Sequence, residues 1–248
     1  MKELIQDLRF SFRLFRKSPG FTAAVVLTLG LGIGVNVAIF SVVDSVLVRP
    51  LPFRDGHQLV HLRYGKPNLG PDTIRFSVPE SHDYRRHSRT LAGLREYHTM
   101  SFTLLGGEEP NQVLVGVVSA NFCDVLGIKP MLGRAFVPED EQPGAPSVLL
   151  LSNRYWRSRF GGNPNIVGRA LRMNGRSIQV VGVLPPLPDF PRADDVFVPT
   201  SACPFRSNPE VVEGRDTRMI NLFGRMRQGV TLEQARAEMS LLAKPPAE

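Results

Sequence analysis

Between Lys17 and Asp44 the chain carries no charged side chain, and residues 21–43 read FTAAVVLTLGLGIGVNVAIFSVV. Thirteen of these residues are Phe, Leu, Ile or Val, spread round every face of a helix rather than along one stripe. At 1.5 Å rise per residue the run predicts a helix about 35 Å long, enough to cross a hydrocarbon core of about 30 Å with modest tilt. A buried helix of a soluble domain would be shorter and one-sided. A cleaved signal peptide has an apolar region of about 7–15 residues ending in a small-x-small site, whereas the exit here reads SVVDSVLVRPLP. The pattern favours a membrane-spanning helix within residues 19–48, with Ser18 suited to the N-cap and Pro19 to the first helical position.

Before the span, Leu4, Ile5, Leu8, Phe12 and Phe15 fall within about 100° of a helical wheel, with Lys2 and a basic cluster of Arg9, Arg13, Arg16 and Lys17 on the neighbouring arc. Residues 1–18 therefore read as an amphipathic helix lying on an anionic inner leaflet, although Phe10 and Leu14 fall off the stripe. Five Lys or Arg precede the span and only Arg49 and Arg54 follow it closely. The positive-inside rule then predicts a cytoplasmic N-terminus, a single pass through the inner membrane, and a periplasmic region of residues 49–248. Inside the span, Gly30 and Gly34 form a G-x-x-x-G with Gly32 and Asn36 nearby, small residues and one amide that suit close packing against another helix.

Beyond Asp44 the apolar runs are strand-sized. Strands are expected at 59–62, 101–105, 113–118, 148–151, 177–183, 195–198 and 219–226, and helices at 81–88, 120–126, 153–160 and 232–243. The last helix has a capping-box start, Thr231 with Gln234 three residues on. This mixture predicts an α+β domain. The turn-rich segments 137–146 and 185–191 are expected at subdomain borders. Gly-Arg recurs in LGRAF (132–136) and VGRAL (167–171), too short a similarity to establish a repeat.

The 248 residues are 42% hydrophobic and 21% charged, which excludes disorder, and two cysteines, Cys123 and Cys203, exclude a disulfide-dense scaffold. Of the net charge of +7, +4 is spread over the rest of the chain and +3 falls in the short stretch before the span, where five basic residues face two acidic ones. That stretch indicates a membrane surface, and no nucleic-acid partner is expected.

Chemistry is sparse. There is no G-x-x-x-x-G-K-[ST], and the one dense glycine pattern, GLGIG at 30–34, lies in the apolar run. His82 and His87 are five apart, and His57 and His61 lack a third ligand, so all four read as surface histidines. No nucleophile motif accompanies Cys123 or any serine. Glu139, Asp140 and Glu141 read as a solvated turn. The segment YWRSRF (155–160) reads as an amphipathic helix burying Tyr155, Trp156 and Phe160. Pairing of Cys123 with Cys203 is left to geometry.

Several stretches together resemble one family. RLFRKSPGFTAAVVLTLGLGIGVNVAIFSVVDSVLVRPLPF (13–53) is similar to the first span of MacB/FtsX-type ABC transporter permeases, in particular the acidobacterial duplicated orphan permease group. VSANFCDVLGIKPMLGRAFVPEDE (118–141), LSNRYWRSRFGGNPNIVGRALRMNGRSIQVVGVLP (151–185) and GRMRQGVTLEQARAEM (224–239) resemble its periplasmic core domain. Cys123 departs from the aromatic residue expected after ANF. The resemblance implies a porter-like subdomain, built from the first and last parts of the region, with a second subdomain inserted between them. It also implies a non-catalytic permease component that transmits motion driven by a separate ABC ATPase subunit, which would bind the ATP, so no cofactor is expected on this chain. The partners implied are the bilayer, the ATPase and other permease helices, and a homodimer stays open. Because the family has later membrane helices, the reading from this sequence is a truncated or split permease. The alternatives are a stand-alone membrane-anchored periplasmic binding or accessory module, or an exported hydrolase on a signal anchor.

Overall fold

The computed structural model describes residues 17–43, 53–63, 75–105, 110–142, 144–188 and 192–243. It divides into two units, residues 1–50 and 51–248. The expected amphipathic helix, including Arg9, Arg13 and Arg16, lies outside the described residues, whereas Lys17 is described and exposed.

In the first unit, α1 (Pro19–Val43) is an uninterrupted helix of 25 residues. Three of its polar side chains bond to the helix's own backbone. Thr22 Oγ1 donates to the Ser18 carbonyl at 3.0 Å, Thr28 Oγ1 to Ala24 at 2.8 Å and Asn36 Nδ2 to Gly32 at 2.8 Å. Each bond runs one turn back along the helix, which lowers the cost of placing a polar group in an apolar medium. The large apolar side chains remain uncovered, Phe21 at 67% and Phe40 at 71% exposure. Water penalises such a surface and hydrocarbon does not. Among the described residues this is the one helix long and apolar enough to cross a membrane.

In the second unit, nine strands form one sheet: β1 (Leu59–Leu62), β2 (Leu91–Leu105), β3 (Asn111–Val118), β4 (Leu132–Gly133), β5 (Val148–Leu151), β6 (Ala170–Met173), β7 (Arg176–Val183), β8 (Val196–Pro199) and β9 (Asn221–Met226). Their order is β1-β9-β2-β3-β8-β5-β7-β4, with β6 beside β2 and β7. The helices are α2 (Val78–His87), α3 (Phe122–Leu126), α4 (Asn153–Phe160), α5 (Pro209–Glu213) and α6 (Leu232–Leu242).

The first and last parts of this unit meet in β1, β9 and the start of β2, where α2 and α6 cover a core that includes Phe76, Val78, Leu94, Ile220, Leu222 and Ala235. The inserted part supplies β4 to β8. The two parts share the sheet through the parallel pairing of β3 with β8, Val115 opposite Val196 to Val118 opposite Pro199. They also share a core, in which Phe102, Leu104 and Val115 pack with Leu149, Leu151 and Val196.

Strand periodicity assigns the side chains to two faces. Leu149 and Leu151 join α4 residues Tyr155 and Trp156 on one face, and Val148 and Leu150 join α3 residues Phe122, Cys123 and Leu126 on the other. That is why β5 reads VLLL without alternation: a strand covered on both faces needs apolar residues at every position. Tyr155 and Trp156 are buried while Arg157 and Arg159 are exposed, as the amphipathic reading of α4 requires.

Two readings are corrected, the start of β2 and the acidic turn. β2 begins at Leu91 rather than 101, and β4 and β6 were unrecognised. The two Gly-Arg stretches run along the same edge of β7, LGRAF through Leu132 opposite Val183 and VGRAL through Ala170 opposite Gln179. The acidic turn is not fully solvated. Asp140 is buried, accepts from Arg134 Nη1 at 2.7 Å and Nη2 at 3.0 Å, and takes the Val137 N–H at 2.9 Å. Burial alone would raise its pKa, but the Arg134 guanidinium and the Val137 amide hold it below the usual range.

Candidate functional site

On α1 the small residues divide between two faces. At about 100° per residue, Gly30 and Gly34 lie within about 40° of each other, whereas Gly32 and Asn36 lie on roughly the opposite side. A Cβ built on Gly30, Gly32 or Gly34 would meet no atom within 4 Å. Among the described residues the glycines therefore have no close neighbour. The Asn36 amide spends one donor on the Gly32 carbonyl and keeps its own oxygen as an acceptor.

In the second unit, α6 is held by one carboxylate. Glu238 accepts the Arg89 N–H at 2.7 Å, the Thr90 N–H at 2.9 Å and the Ser88 hydroxyl at 3.3 Å, and it also accepts from the Thr90 hydroxyl. Partial burial opposes ionisation, but the Thr90 hydroxyl and amide and the Arg89 amide outweigh it and hold the carboxyl below its ordinary pKa. Glu238 thus ties the last helix to the turn between α2 and β2. At the N-terminus of α6, Thr231 and Gln234 form the expected capping box. Between α6 and edge strand β1 runs an apolar groove of about 500 Å³, floored by Val60, Leu62, Phe76 and Met239 and flanked by Arg63 and Arg236.

A second polar cluster was not recognised from sequence. Glu96 on β2 is 2% exposed, accepts from Ser81 Oγ at 2.5 Å, and pairs with Arg206 and, at 3.4 Å, with Arg85. One buried charge between two guanidiniums joins α2, β2 and the 204–207 turn. His98, two residues on, is buried with its Nε2 3.3 Å from Cys203 Sγ. His57, His61, His82 and His87 are all exposed. Cys123 and Cys203 are both free and buried, in different clusters. Burial, with Asp124 second, pushes the Cys123 thiol up to about 12, which leaves almost no thiolate near neutral pH.

The model of the MacB-like periplasmic core domain matches residues 22–242. The second unit is similar to the periplasmic region of MacB from Actinobacillus actinomycetemcomitans (16% identity, 79% of this chain and 86% of that one, TM-score 0.60). It is also similar to a permease-protein domain from Porphyromonas gingivalis (18% identity, 77% and 87%, TM-score 0.58). A third similar structure is the extracellular domain of the noncanonic ABC-type transporter YknZ from Gram-positive bacteria (15% identity, 73% and 88%, TM-score 0.51). No curated protein matches the sequence. A family match through most of α1 and the whole sheet, together with the fold, places this chain in the MacB-like periplasmic core domain family of ABC transporter permeases.

Proposed function

We propose that the chain is a non-catalytic permease component of a MacB-like ABC transporter, anchored by α1 with its N-terminus in the cytoplasm and its α+β domain in the periplasm. A separate ATPase subunit binds and hydrolyses ATP. Its closure moves the membrane helices, and the domain takes up that movement as mechanical work on the periplasmic side. The observation that carries this reading is the uncovered Gly30/Gly34 face on an apolar helix with no buried residue in its span. Such a face permits close helix approach and gains packing only from a partner in the bilayer.

The test is purification of the tagged chain from native membranes. An ABC ATPase should co-purify with the unaltered chain and be lost or strongly reduced with Gly34→Leu, whose side chain blocks close approach. An ATPase that never co-purifies would favour a stand-alone anchored module. Undiminished recovery with the variant would remove this face from the contact.

A further inference from the structure

On β2, His98 and Met100 are two apart and share a face of the strand. Opposite them lies Cys203, between the 3-10 turns Thr200–Ala202 and Pro204–Ser207. Cys203 Sγ is 3.3 Å from His98 Nε2 and 3.8 Å from Met100 Sδ. Nitrogen at about 2.05 Å and sulfur at about 2.3 Å from one metal centre would reproduce these separations at angles of about 100° and 110°, at or somewhat below the tetrahedral angle. A thiol, a thioether and an imidazole are the donors that soft cations select.

We propose that Cys203 Sγ, His98 Nε2 and Met100 Sδ form a three-coordinate site for a soft monovalent cation of the Cu(I) type. Binding forms the metal–sulfur and metal–nitrogen bonds and releases the thiol proton to solvent, so no oxidant or reductant is needed. Among the described residues no group of three or more His, Cys, Asp or Glu side chains is placed to hold a metal ion. The third donor here is a methionine.

The surroundings fit that use. Glu96 holds Arg206, and with it the 204–207 turn, over the row Glu96, His98, Met100. Packing alone does not select this histidine. Among the described residues its Nδ1 has no hydrogen-bond partner and is buried, a cost that an aliphatic side chain would avoid. Met100 is half-buried beside an exposed turn whose Phe205 is 49% exposed, which gives a cation a short way in.

The probe is Ag(I), a stand-in for Cu(I) that does not cycle its oxidation state, added to the full chain in detergent and followed by native mass spectrometry and competition titration. One equivalent should bind. Affinity should fall by about tenfold or more in both Cys203→Ser and Met100→Leu, and be kept in Cys123→Ser. Met100→Leu conserves volume, so the test does not depend on a variant that fails to fold. No 1:1 adduct, equal affinity in Cys203→Ser, or a loss confined to Cys203→Ser would overturn the three-donor site, the last by reducing it to a lone thiol. Loss of the adduct would leave ATPase co-purification unchanged, so the two proposals fail separately.

Discussion

Asp194 shows how one residue can join distant strands. Its Oδ2 accepts from Tyr97 Oη at 2.7 Å and its Oδ1 lies 3.3 Å from Thr99 Oγ1, so a residue just before β8 bonds to β2 across the intervening β3. The crossing is possible because β3 presents Gly116 opposite Thr99 and Phe197. A Cβ there would sit 2.7 Å from Asp194 Oδ2 and 2.8 Å from the Phe197 ring. Gly116→Ala should therefore destabilise the domain by about 1–3 kcal/mol, read as a lower thermal midpoint. The carboxyl itself is pushed up to about 6, chiefly by burial, with Asp195 adding to the shift and Tyr97, Thr99 and Arg192 opposing it. Since the folded state binds the proton more tightly than the unfolded chain, stability is highest below the unfolded pKa near 4. It declines as pH rises towards about 6 and is flat above. Asp194→Asn should abolish that decline and gain on the order of 2–3 kcal/mol at pH 7 over the ionised parent. Thermal unfolding of both proteins at pH 4.5 and pH 7 checks this, and parallel curves would refute it.

At the scale of elements, the clamp on α6 makes a local prediction. Glu238→Ala leaves the Arg89 and Thr90 amides to water and frees the helix from the α2–β2 turn. Amide exchange in residues 232–242 should accelerate while β3 and β8 keep their protection; equal acceleration in both regions would mean a global effect instead. The element scale also shows what was legible in the sequence. α4 and α6 could be read because their caps and apolar stripes are local, and β5 because VLLL is apolar at every position. The first ten residues of β2 were missed because Arg95, Glu96 and His98 look like a polar loop. Glu96 and His98 are buried only because Ser81, Arg206 and Cys203, far off in sequence, supply their partners. β4, two residues long, and β6 carry too little pattern to be seen without β7 beside them. The Glu238 clamp was likewise invisible, since its donors lie about 150 residues upstream. On α1 the glycine spacing was plain from sequence, and the uninterrupted helix puts Gly30/Gly34 and Gly32/Asn36 on opposing sides.

For the domain as a whole, the arrangement of the core bears on how a force could pass through it. Two subdomains joined by a linker would hinge, and movement delivered to one would be lost in the joint. Here the two parts share hydrogen bonds along β3 and β8, a buried carboxylate bonded across them, and a core drawn from β2, β3, β5 and β8 together. Neither part can open without exposing Val115, Val117, Leu149 and Val196, each buried to 0% exposure. Burying an aliphatic side chain contributes about 1.5–3 kcal/mol, so splitting the seam costs a large share of the whole stability. The domain should therefore unfold in one cooperative step. Trp156, the single tryptophan, sits in the inserted part, and amide exchange in α6 reports on the other. In the full chain in detergent, the denaturant midpoint of tryptophan emission and that of α6 protection should coincide. Two separated transitions would mean that the parts come apart on their own, and the proposed transmission of movement through a rigid domain would fail.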